Sequence, residues 1–236
     1  MIISFFKRLY LPSLEMRWRQ AAVQSILKRI PAPQALLDIG CGDGSSTKNY
    51  AATWNLPLSS LTGVEPQEKY KQLIDFKTYA LDIERQDLPF PDESFDLIIC
   101  SQVLEHLKIV IRPLREMSRS LKTKGHLLLG IPNLASLTSR GYLLFGRDPI
   151  CLSFPGPHIR AFTHRSFVRC LESNPNFSLE ATRGSCFYPF PPALFEPLAR
   201  WFPGLACYTF YLLRKCQHNP RTDWPVCDYP DESLTG

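Results

Sequence analysis

The glycine-rich turn after a short apolar run constrains this chain more than any other segment. Residues 35–40 read ALLDIG, and glycines occupy positions 40, 42 and 44. An apolar run of this length that stops at glycines is typical of a buried parallel strand. Glycines at the turn permit a tight bend and let a ligand approach the bare backbone, and a helix that opens after them presents free N–H groups. The sequence therefore predicts a ligand site at a strand-to-helix turn.

Strand-like and helix-like segments alternate along the rest of the chain. Further strands are predicted over 61–65, 76–82, 95–100, 126–131, 177–182 and 207–213. Helices are predicted over 14–30, 45–54, from Pro113 onward and over 166–172, the last with Thr163 as its N-cap. Residues 132–162 are rich in glycine, proline and aromatic residues and are expected to be less regular. This alternation predicts an α/β fold with a mainly parallel sheet.

The excess positive charge lies at one end of the chain. Lysine and arginine number 27 against 22 acidic residues, and residues 1–30 hold six basic side chains and Glu15 as their one acid. The neutral remainder argues against a nucleic-acid-binding domain. A basic arm of this kind is either a solvated helix face or a weak peripheral contact with an anionic membrane. No apolar run reaches the roughly 20 residues needed to span a bilayer.

The eight cysteines form no C-x-x-C pair and show no zinc-site spacing. We therefore expect no metal site and no disulfide framework. The apolar run at the start, MIISFFKRLY, is too short for the core of a signal peptide. These features together predict a reduced, cytoplasmic protein.

Acidic residues around the glycines narrow the choice of ligand. The glycine pattern of dinucleotide-binding proteins has a further glycine at the position where this chain has Ser45. Asp38 and Asp43 flank the turn, where they would repel a pyrophosphate but suit a ligand with a cationic end. A nicotinamide-dependent oxidoreductase is accordingly disfavoured.

Later strand ends add acids at the same edge of the predicted sheet. Glu65, after the second strand, can accept hydrogen bonds from both hydroxyls of a ribose. Asp82, after the third, can accept an adenine amino group while Ile83 packs on the ring. Because the ends of parallel strands converge on one crevice, these acids can meet a single nucleoside together with Asp38 and Ser101.

Four segments together resemble the class I S-adenosylmethionine-dependent methyltransferases. They read LLDIGCGDG, VEP, LDIERQDLPFPDESFDLIICSQVLEHL and LREMSRSLKTKGHLLLGIPN. The resemblance covers residues 35–133 and is nearest to the ubiquinone, menaquinone and small-molecule group. It implies a single Rossmann-like domain whose sheet has seven strands, mainly parallel with the last antiparallel, and helices on both faces. Thr123-Lys124-Gly125 replaces the family's frequent Pro-Gly-Gly, which affects only a turn.

The resemblance also implies a cofactor, S-adenosylmethionine, and its site. The glycine turn would border the methionine part, Glu65 would hold the ribose, and Asp82 with Ile83 would hold the adenine. The predicted cofactor-binding residues are Asp38, Gly40, Cys41, Gly42, Gly44, Glu65, Pro66, Asp82, Ile83, Ser101 and Gln102.

The acceptor side is predicted from a looser resemblance. The segments PNLASLTSRGYLLFGRDP and HIRAFTHRSFVRCL look like parts of sugar and glycan methyltransferases and of methionine-biosynthesis methyltransferase-like proteins. Tyr142, His158 and Arg160 in them are predicted to bind the acceptor, although Arg160 is equally expected to pair with an acid of the core. Residues 140–170 hold five arginines against Asp148 as their one acid, which favours an anionic acceptor.

His106 is the candidate catalytic residue. It follows the fourth strand in VLEHL, near where an acceptor would meet the methyl group. A hydroxyl acceptor must lose its proton, and histidine is suited to take it near neutral pH. The alternative is a capping or core histidine without a chemical role. Glu105 beside it is expected to face solvent or an arginine.

The predicted organisation is an N-terminal helical cover (1–34), a methyltransferase domain (35–216) with an acceptor-side insertion (132–165), and a loose polar tail (217–236). The predicted function is methyl transfer to an oxygen or nitrogen of a small molecule such as a sugar, glycan, quinone or lipid-linked precursor. The alternative is a non-catalytic S-adenosylmethionine-binding protein with a regulatory or assembly role.

Overall fold

A computed structural model describes residues 12–188, 192–217 and 224 of the chain. Its strands are β1 (Leu36–Ile39), β2 (Leu61–Val64), β3 (Lys77–Tyr79), β4 (Phe95–Ser101), β5 (Leu121–Pro132), β6 (Phe177–Ser185) and β7 (Tyr208–Lys215). Its α-helices are α1 (Pro12–Leu27), α2 (Ser45–Ala51), α3 (Ile111–Ser120), α4 (Leu137–Leu144), α5 (His164–Glu172) and α6 (Pro192–Trp201). Short 3-10 helices cover Leu58–Ser60, Glu68–Leu73, Leu104–His106, Ile150–Leu152 and Pro203–Leu205.

The described strands form one seven-stranded sheet in the order β3-β2-β1-β4-β5-β7-β6. The first five strands pair in parallel, and β7 pairs antiparallel with both β5 and β6. The predicted mainly parallel sheet with an antiparallel last strand is therefore confirmed. Because β1 lies centrally between β2 and β4, its carboxyl end and the turn that follows lie in the middle of one sheet edge.

Alternate residues of the strands feed two separate cores, one on each face of the sheet. On β4, Ile98 and Cys100 join the core that α3 and α5 cover, while Leu97 and Ile99 join the one that α1 and α2 cover. This alternation is what the two-residue repeat of a strand dictates when both faces are buried. The prediction of helices on both faces is confirmed.

The structure differs from the sequence prediction at several boundaries. Strand β5 begins at Leu121, before the predicted turn, because Leu121 pairs with Phe95 and His126 with Leu97. The four residues between form a bulge opposite Asp96. The predicted turn is thus an irregularity inside a strand. Helices α4 and α6 were not predicted, since glycine, proline and aromatic residues hide the helical pattern there. Thr163 does cap α5, by accepting from the Ser166 amide at 3.2 Å.

The two ends of the chain are described only in part. Helix α1 supplies the predicted N-terminal cover, whereas residues 1–11 lie outside the described residues. Most of the predicted loose tail also lies outside them, but Trp224 is 1% exposed and its indole donates to the Leu114 carbonyl at 3.1 Å. The prediction of a loose tail therefore does not hold at this residue. None of the helices in the described ranges is long and apolar enough to cross a membrane.

The burial of Trp224 leads to a prediction about stability. Its ring centre lies 5.3 Å from that of Phe177, so Trp224→Ala leaves a cavity and removes a hydrogen bond to the Leu114 carbonyl. We expect the free energy of unfolding to fall by about 3–5 kcal/mol. Trp201, which is 78% exposed, provides the control, and Trp201→Ala should stay within about 0.5 kcal/mol of the parent. Equal effects of the two substitutions in urea denaturation would contradict the packing of Trp224.

Candidate functional site

The glycine turn lies tightly against its two neighbouring strands. The amides of Gly40 and Cys41 both donate to the carbonyl of Val64, at 2.7 and 3.2 Å. Gly40 has φ 74°, and a Cβ on it would lie 2.4 Å from a methyl carbon of Val103. A Cβ on Gly42 would meet no atom within 4 Å. The turn is therefore closed against the protein at Gly40 and open at Gly42.

Two carboxylates organise the turn. Glu65 Oε2 accepts from the amide of Gly42 at 3.0 Å and Oε1 from that of Gln67 at 3.1 Å. Asp38 is buried, and its Oδ2 accepts from the Thr47 hydroxyl at 2.5 Å. A carboxylate has about four acceptor positions. Both acids thus keep acceptor capacity for a ligand after making these contacts.

The two aspartates beside the turn, Asp38 and Asp43, have pKa values shifted in opposite directions. Burial raises the pKa of Asp38 to about 7, against a lowering by the Thr47 hydroxyl, and the charge of Glu65 adds to the rise. Hydrogen bonds from the Ser45 hydroxyl and amide lower the pKa of Asp43. Burial also raises the pKa of the Cys41 thiol to about 12, so this sulfur stays protonated. Asp38 is the acid of the turn that a bound cation would ionise.

A cavity of about 340 Å³ opens at this edge of the sheet between the turn and α1. Arg19 and Gln102 line this cavity, and the Arg19 guanidinium donates to Gln102 Oε1 at 3.5 Å and lies 3.9 Å from Glu15 Oε1. A guanidinium that lines the same cavity as the acid Asp38 suits a ligand that carries both an anionic and a cationic group. Sequence reasoning missed Arg19, because only the packing of α1 brings it to the turn. The other lining residues not predicted are Met16, Gln20, Asp43, Ser45, Ser46, Tyr50 and Tyr70.

The predicted cofactor residues divide into two groups. Those that line this cavity are Asp38, Gly40, Cys41, Gly42, Ser101 and Gln102. Those that do not are Gly44, Glu65, Pro66, Asp82 and Ile83. Asp82 is 43% exposed and its Oδ1 accepts from the Glu84 amide, while Ile83 belongs to one of the two cores. Their proposed contacts with adenine stay predictions.

A second, larger cavity of about 440 Å³ lies on the other side of Arg19 from the first. The predicted insertion supplies most of its wall, including Tyr142 and His158. Glu15 lines this cavity and Arg19, one turn later on α1, lines the smaller one. The two side chains form an ion pair at 3.9 Å, and the Arg19 guanidinium lies 4.9 Å from the ring centre of Tyr208, which also lines the larger cavity. Helix α1 therefore lines both cavities, and side chains from their two walls are in contact.

Arg160 does not line either cavity. Its guanidinium donates to the carbonyl of Leu107 at 2.9 Å and to that of Lys108. These bonds attach the insertion to the segment after β4. The structure thus gives Arg160 backbone partners rather than the core acid that the sequence suggested, and its binding of the acceptor stays a prediction.

Glu105, His106 and His158 form a cluster where the insertion meets the end of β4. Glu105 is fully buried, so the expectation that it faces solvent was wrong. Burial raises its pKa to about 7, and its two oxygens have no hydrogen-bond partner among the residues described. His158 Nε2 lies 4.0 Å from Glu105 Oε1, and the His106 and His158 rings are 4.7 Å apart. His106 itself is exposed and reaches the larger cavity only through His158.

Comparison with known proteins agrees with this geometry. A family model described as a methyltransferase domain matches residues 14–180. A demethylmenaquinone methyltransferase from Tropheryma whipplei is 30% identical over 117 residues, which are 48% of this chain and 46% of that protein. A 27-O-demethylrifamycin SV methyltransferase from Amycolatopsis mediterranei is 29% identical over 45% of this chain and 43% of that protein. The chain matches less than half the length of these relatives.

Solved structures share the fold at low sequence identity. A Thermotoga maritima S-adenosylmethionine-dependent methyltransferase, described as a possible histamine N-methyltransferase, aligns with a TM-score of 0.63. The identity is 20%, over 90% of this chain and 96% of that one. An N-methyltransferase from Bradyrhizobium japonicum, solved with S-adenosyl-L-homocysteine, aligns with a TM-score of 0.54 at 16% identity, over 85% and 87% of the two chains.

The raised pKa of Asp38 predicts how stability depends on pH. The folded protein holds this proton up to about pH 7, whereas the unfolded chain releases it near 3.8. The contribution of Asp38 to the free energy of unfolding therefore falls as pH rises between these values. Asp38→Asn keeps an acceptor for Thr47 but cannot ionise. We expect the difference in free energy of unfolding between this variant and the parent to shift in favour of the variant by on the order of 3 kcal/mol from pH 4 to pH 8.

Asp43→Asn is the matched control, because the pKa of Asp43 is lowered and its contribution has the opposite sign. This variant should lose stability relative to the parent as pH rises through the acid range. Urea denaturation across pH 4–8 measures the Asp38 difference, and extension of the series below pH 4 measures that of Asp43. If the free energies of unfolding of the parent and of Asp38→Asn changed with pH in the same way, Asp38 would ionise normally in the folded protein.

Proposed function

Because the chain belongs to the methyltransferase-domain family, we propose that it transfers a methyl group from S-adenosylmethionine to an oxygen or nitrogen of a small molecule. The observation that carries this proposal is that α1 lines two cavities, one beside the glycine turn and one walled by the insertion. The smaller cavity would hold the methyl donor and the larger the acceptor. Such pairs of adjacent pockets serve reactions whose catalysis is mainly alignment.

The polar groups of the smaller cavity fit S-adenosylmethionine. The amino group of its methionine part would lie at Asp38, and its carboxylate would accept from the guanidinium of Arg19 and the amide of Gln102, which line the same cavity. Glu65 holds the turn with two of its acceptor positions and keeps the others for the ribose hydroxyls. When bound, S-adenosylmethionine supplies a methyl group on a positively charged sulfur, which is already a good leaving group.

The larger cavity favours an acceptor that has both hydroxyl groups and apolar surface, because more of its exposed wall is apolar than polar. Its wall carries hydroxyl groups from Ser136, Thr138, Ser139, Tyr142, Ser153, Tyr188 and Tyr208. These groups can both donate and accept hydrogen bonds, so a quinol or a sugar with an apolar substituent would suit this wall. The relatives that act on a menaquinone precursor and on a rifamycin support the small-molecule class. Tyr142 and His158 are the proposed acceptor-binding residues on this wall.

His106 is proposed to activate the acceptor at the edge of this cavity. Its Nδ1 lies 3.1 Å from the carbonyl oxygen of Pro157, which can only accept. The proton therefore resides on Nδ1, and Nε2 keeps a free electron pair toward its neighbours. The chain's main contribution is otherwise to hold the acceptor in line with the donor and to keep water out.

The assignment of Glu65 to the ribose predicts a loss of cofactor affinity in Glu65→Gln. This variant keeps the size of the side chain and removes its charge. Because charge-assisted hydrogen bonds contribute about 1.5–3 kcal/mol each, we expect the Kd for S-adenosylmethionine to rise roughly 10- to 100-fold. Glu68→Gln, an exposed neighbour, is the control and should bind as the parent does. Unchanged calorimetric affinity in folded Glu65→Gln would exclude the ribose role.

The role of His106 predicts a loss of turnover without a loss of cofactor binding. In His106→Ala, kcat should fall roughly 10²–10⁴-fold while the Kd for S-adenosylmethionine stays within about twofold. Lys108→Ala, an exposed residue of the same segment, should keep full activity. If His106→Ala instead lowers Tm and activity in proportion, the residue is structural.

A screen for the acceptor tests the proposed reaction as a whole. The chain is incubated with S-adenosylmethionine and panels of sugars, quinols, lipid-linked precursors and acids, and release of S-adenosylhomocysteine is measured. Turnover with one panel would identify the acceptor class. Tight cofactor binding without turnover on any panel would favour the non-catalytic alternative. The cytoplasmic location also remains proposed, supported by the free thiols of all cysteines that the structure describes.

A further inference from the structure

We propose that Glu105, His106 and His158 bind a divalent transition-metal ion through one carboxylate oxygen and two imidazole nitrogens. Their ligand atoms lie within 4.8 Å of one another, although the residues come from two separate segments. An ion that binds each atom at about 2.1 Å in tetrahedral geometry holds them about 3.4 Å apart. The three groups therefore need to close by at most about 1.4 Å. The sequence contains no local spacing that predicts such a site, and a metal site was not expected from it.

Each histidine is already arranged as a metal ligand. Nδ1 of His158 lies 2.7 Å from the Cys151 carbonyl, and Nδ1 of His106 lies 3.1 Å from the Pro157 carbonyl. A carbonyl only accepts, so each Nδ1 carries the hydrogen and each Nε2 keeps its free electron pair. Histidine ligands in proteins characteristically donate their other ring N–H to a carbonyl in this way.

The carboxylate supplies an independent observation. Glu105 is fully buried, and within the described ranges no other residue donates a hydrogen bond to its oxygens, on which only its own backbone amide acts at short range. Arg19 acts on it only at a distance. A buried carboxyl group without partners is costly to a fold unless something compensates it. A cation held jointly with the two histidines would be that compensation.

The donor set selects the kind of ion. Two imidazoles and one carboxylate suit Zn²⁺, Co²⁺, Mn²⁺ or Fe²⁺, whereas Mg²⁺ and Ca²⁺ prefer oxygen ligands throughout. Three protein ligands leave at least one coordination position open. Since His158 lines the larger cavity, an oxygen or nitrogen of the acceptor could occupy that position. This role toward the acceptor rests on the proposed function, and in it His106 would act on the acceptor through the ion. The ion site itself does not depend on the proposed function.

Cobalt provides a readout that needs no activity. The full chain is stripped with a chelator and titrated with Co²⁺, whose visible absorption reports nitrogen and oxygen ligation. We expect one equivalent to bind, a rise in Tm on binding, and competition by Zn²⁺ but not by Mg²⁺ at equal concentration. Glu105→Gln and His158→Gln should each weaken binding at least about 100-fold, more than the loss of an outer-sphere partner usually costs.

His126→Gln is the matched control. His126 also lies beside a carboxylate, with Glu180 at 3.2 Å, but outside the cluster, so its loss should leave the Co²⁺ titration unchanged. The proposal is overturned if the parent binds no stoichiometric Co²⁺, or if both cluster variants bind it as the parent does. S-adenosylmethionine affinity, measured on the same samples, separates the two proposals: intact cofactor binding without an ion site refutes only this one.

Discussion

The contact between the glycine turn and the two strands beside β1 is the constraint on which the site depends. Val64 on one side accepts from two amides of the turn, and Val103 on the other leaves no room for a side chain at Gly40. Glu65 then accepts from the Gly42 amide. These contacts fix the loop without filling the space in front of Gly42. A ligand can therefore meet exposed backbone at a place that the sheet itself has made rigid.

The two cavities differ in the charged and polar side chains that line them. Around the turn, carboxylates line the same cavity as Arg19 of α1 and Gln102, the residue after β4. The wall of the larger cavity is mainly apolar, with neutral hydroxyl groups and two acids, Glu15 and Asp148, set into it. Arg19 reaches toward both cavities because it also packs on the Tyr208 ring. Helix α1 is thus more than a cover, since its side chains line both cavities.

The sequence predicted most of the sheet because its signals are local. A few neighbouring residues are enough to recognise the apolar runs before Gly40 and Cys100 as strands and the glycines as a turn. The family resemblance added the antiparallel last strand. The insertion was harder, since α4 lies in a segment whose glycine and aromatic content hides its helical repeat. The partners of Arg160 and the burial of Glu105 could not be predicted, because both depend on the insertion folding back onto residues some 50 positions earlier.

The central claim is that the glycine turn and the end of β4 bind S-adenosylmethionine. Amide NMR of the isotopically labelled chain, titrated with S-adenosylhomocysteine, tests it directly, because glycine amides resolve well and report on the backbone itself. The account predicts the largest shifts at Gly40, Gly42 and Gln102, with little change at Gly146, which lies in the insertion and lines neither cavity. Shifts confined to the insertion, or none at saturating ligand, would contradict it.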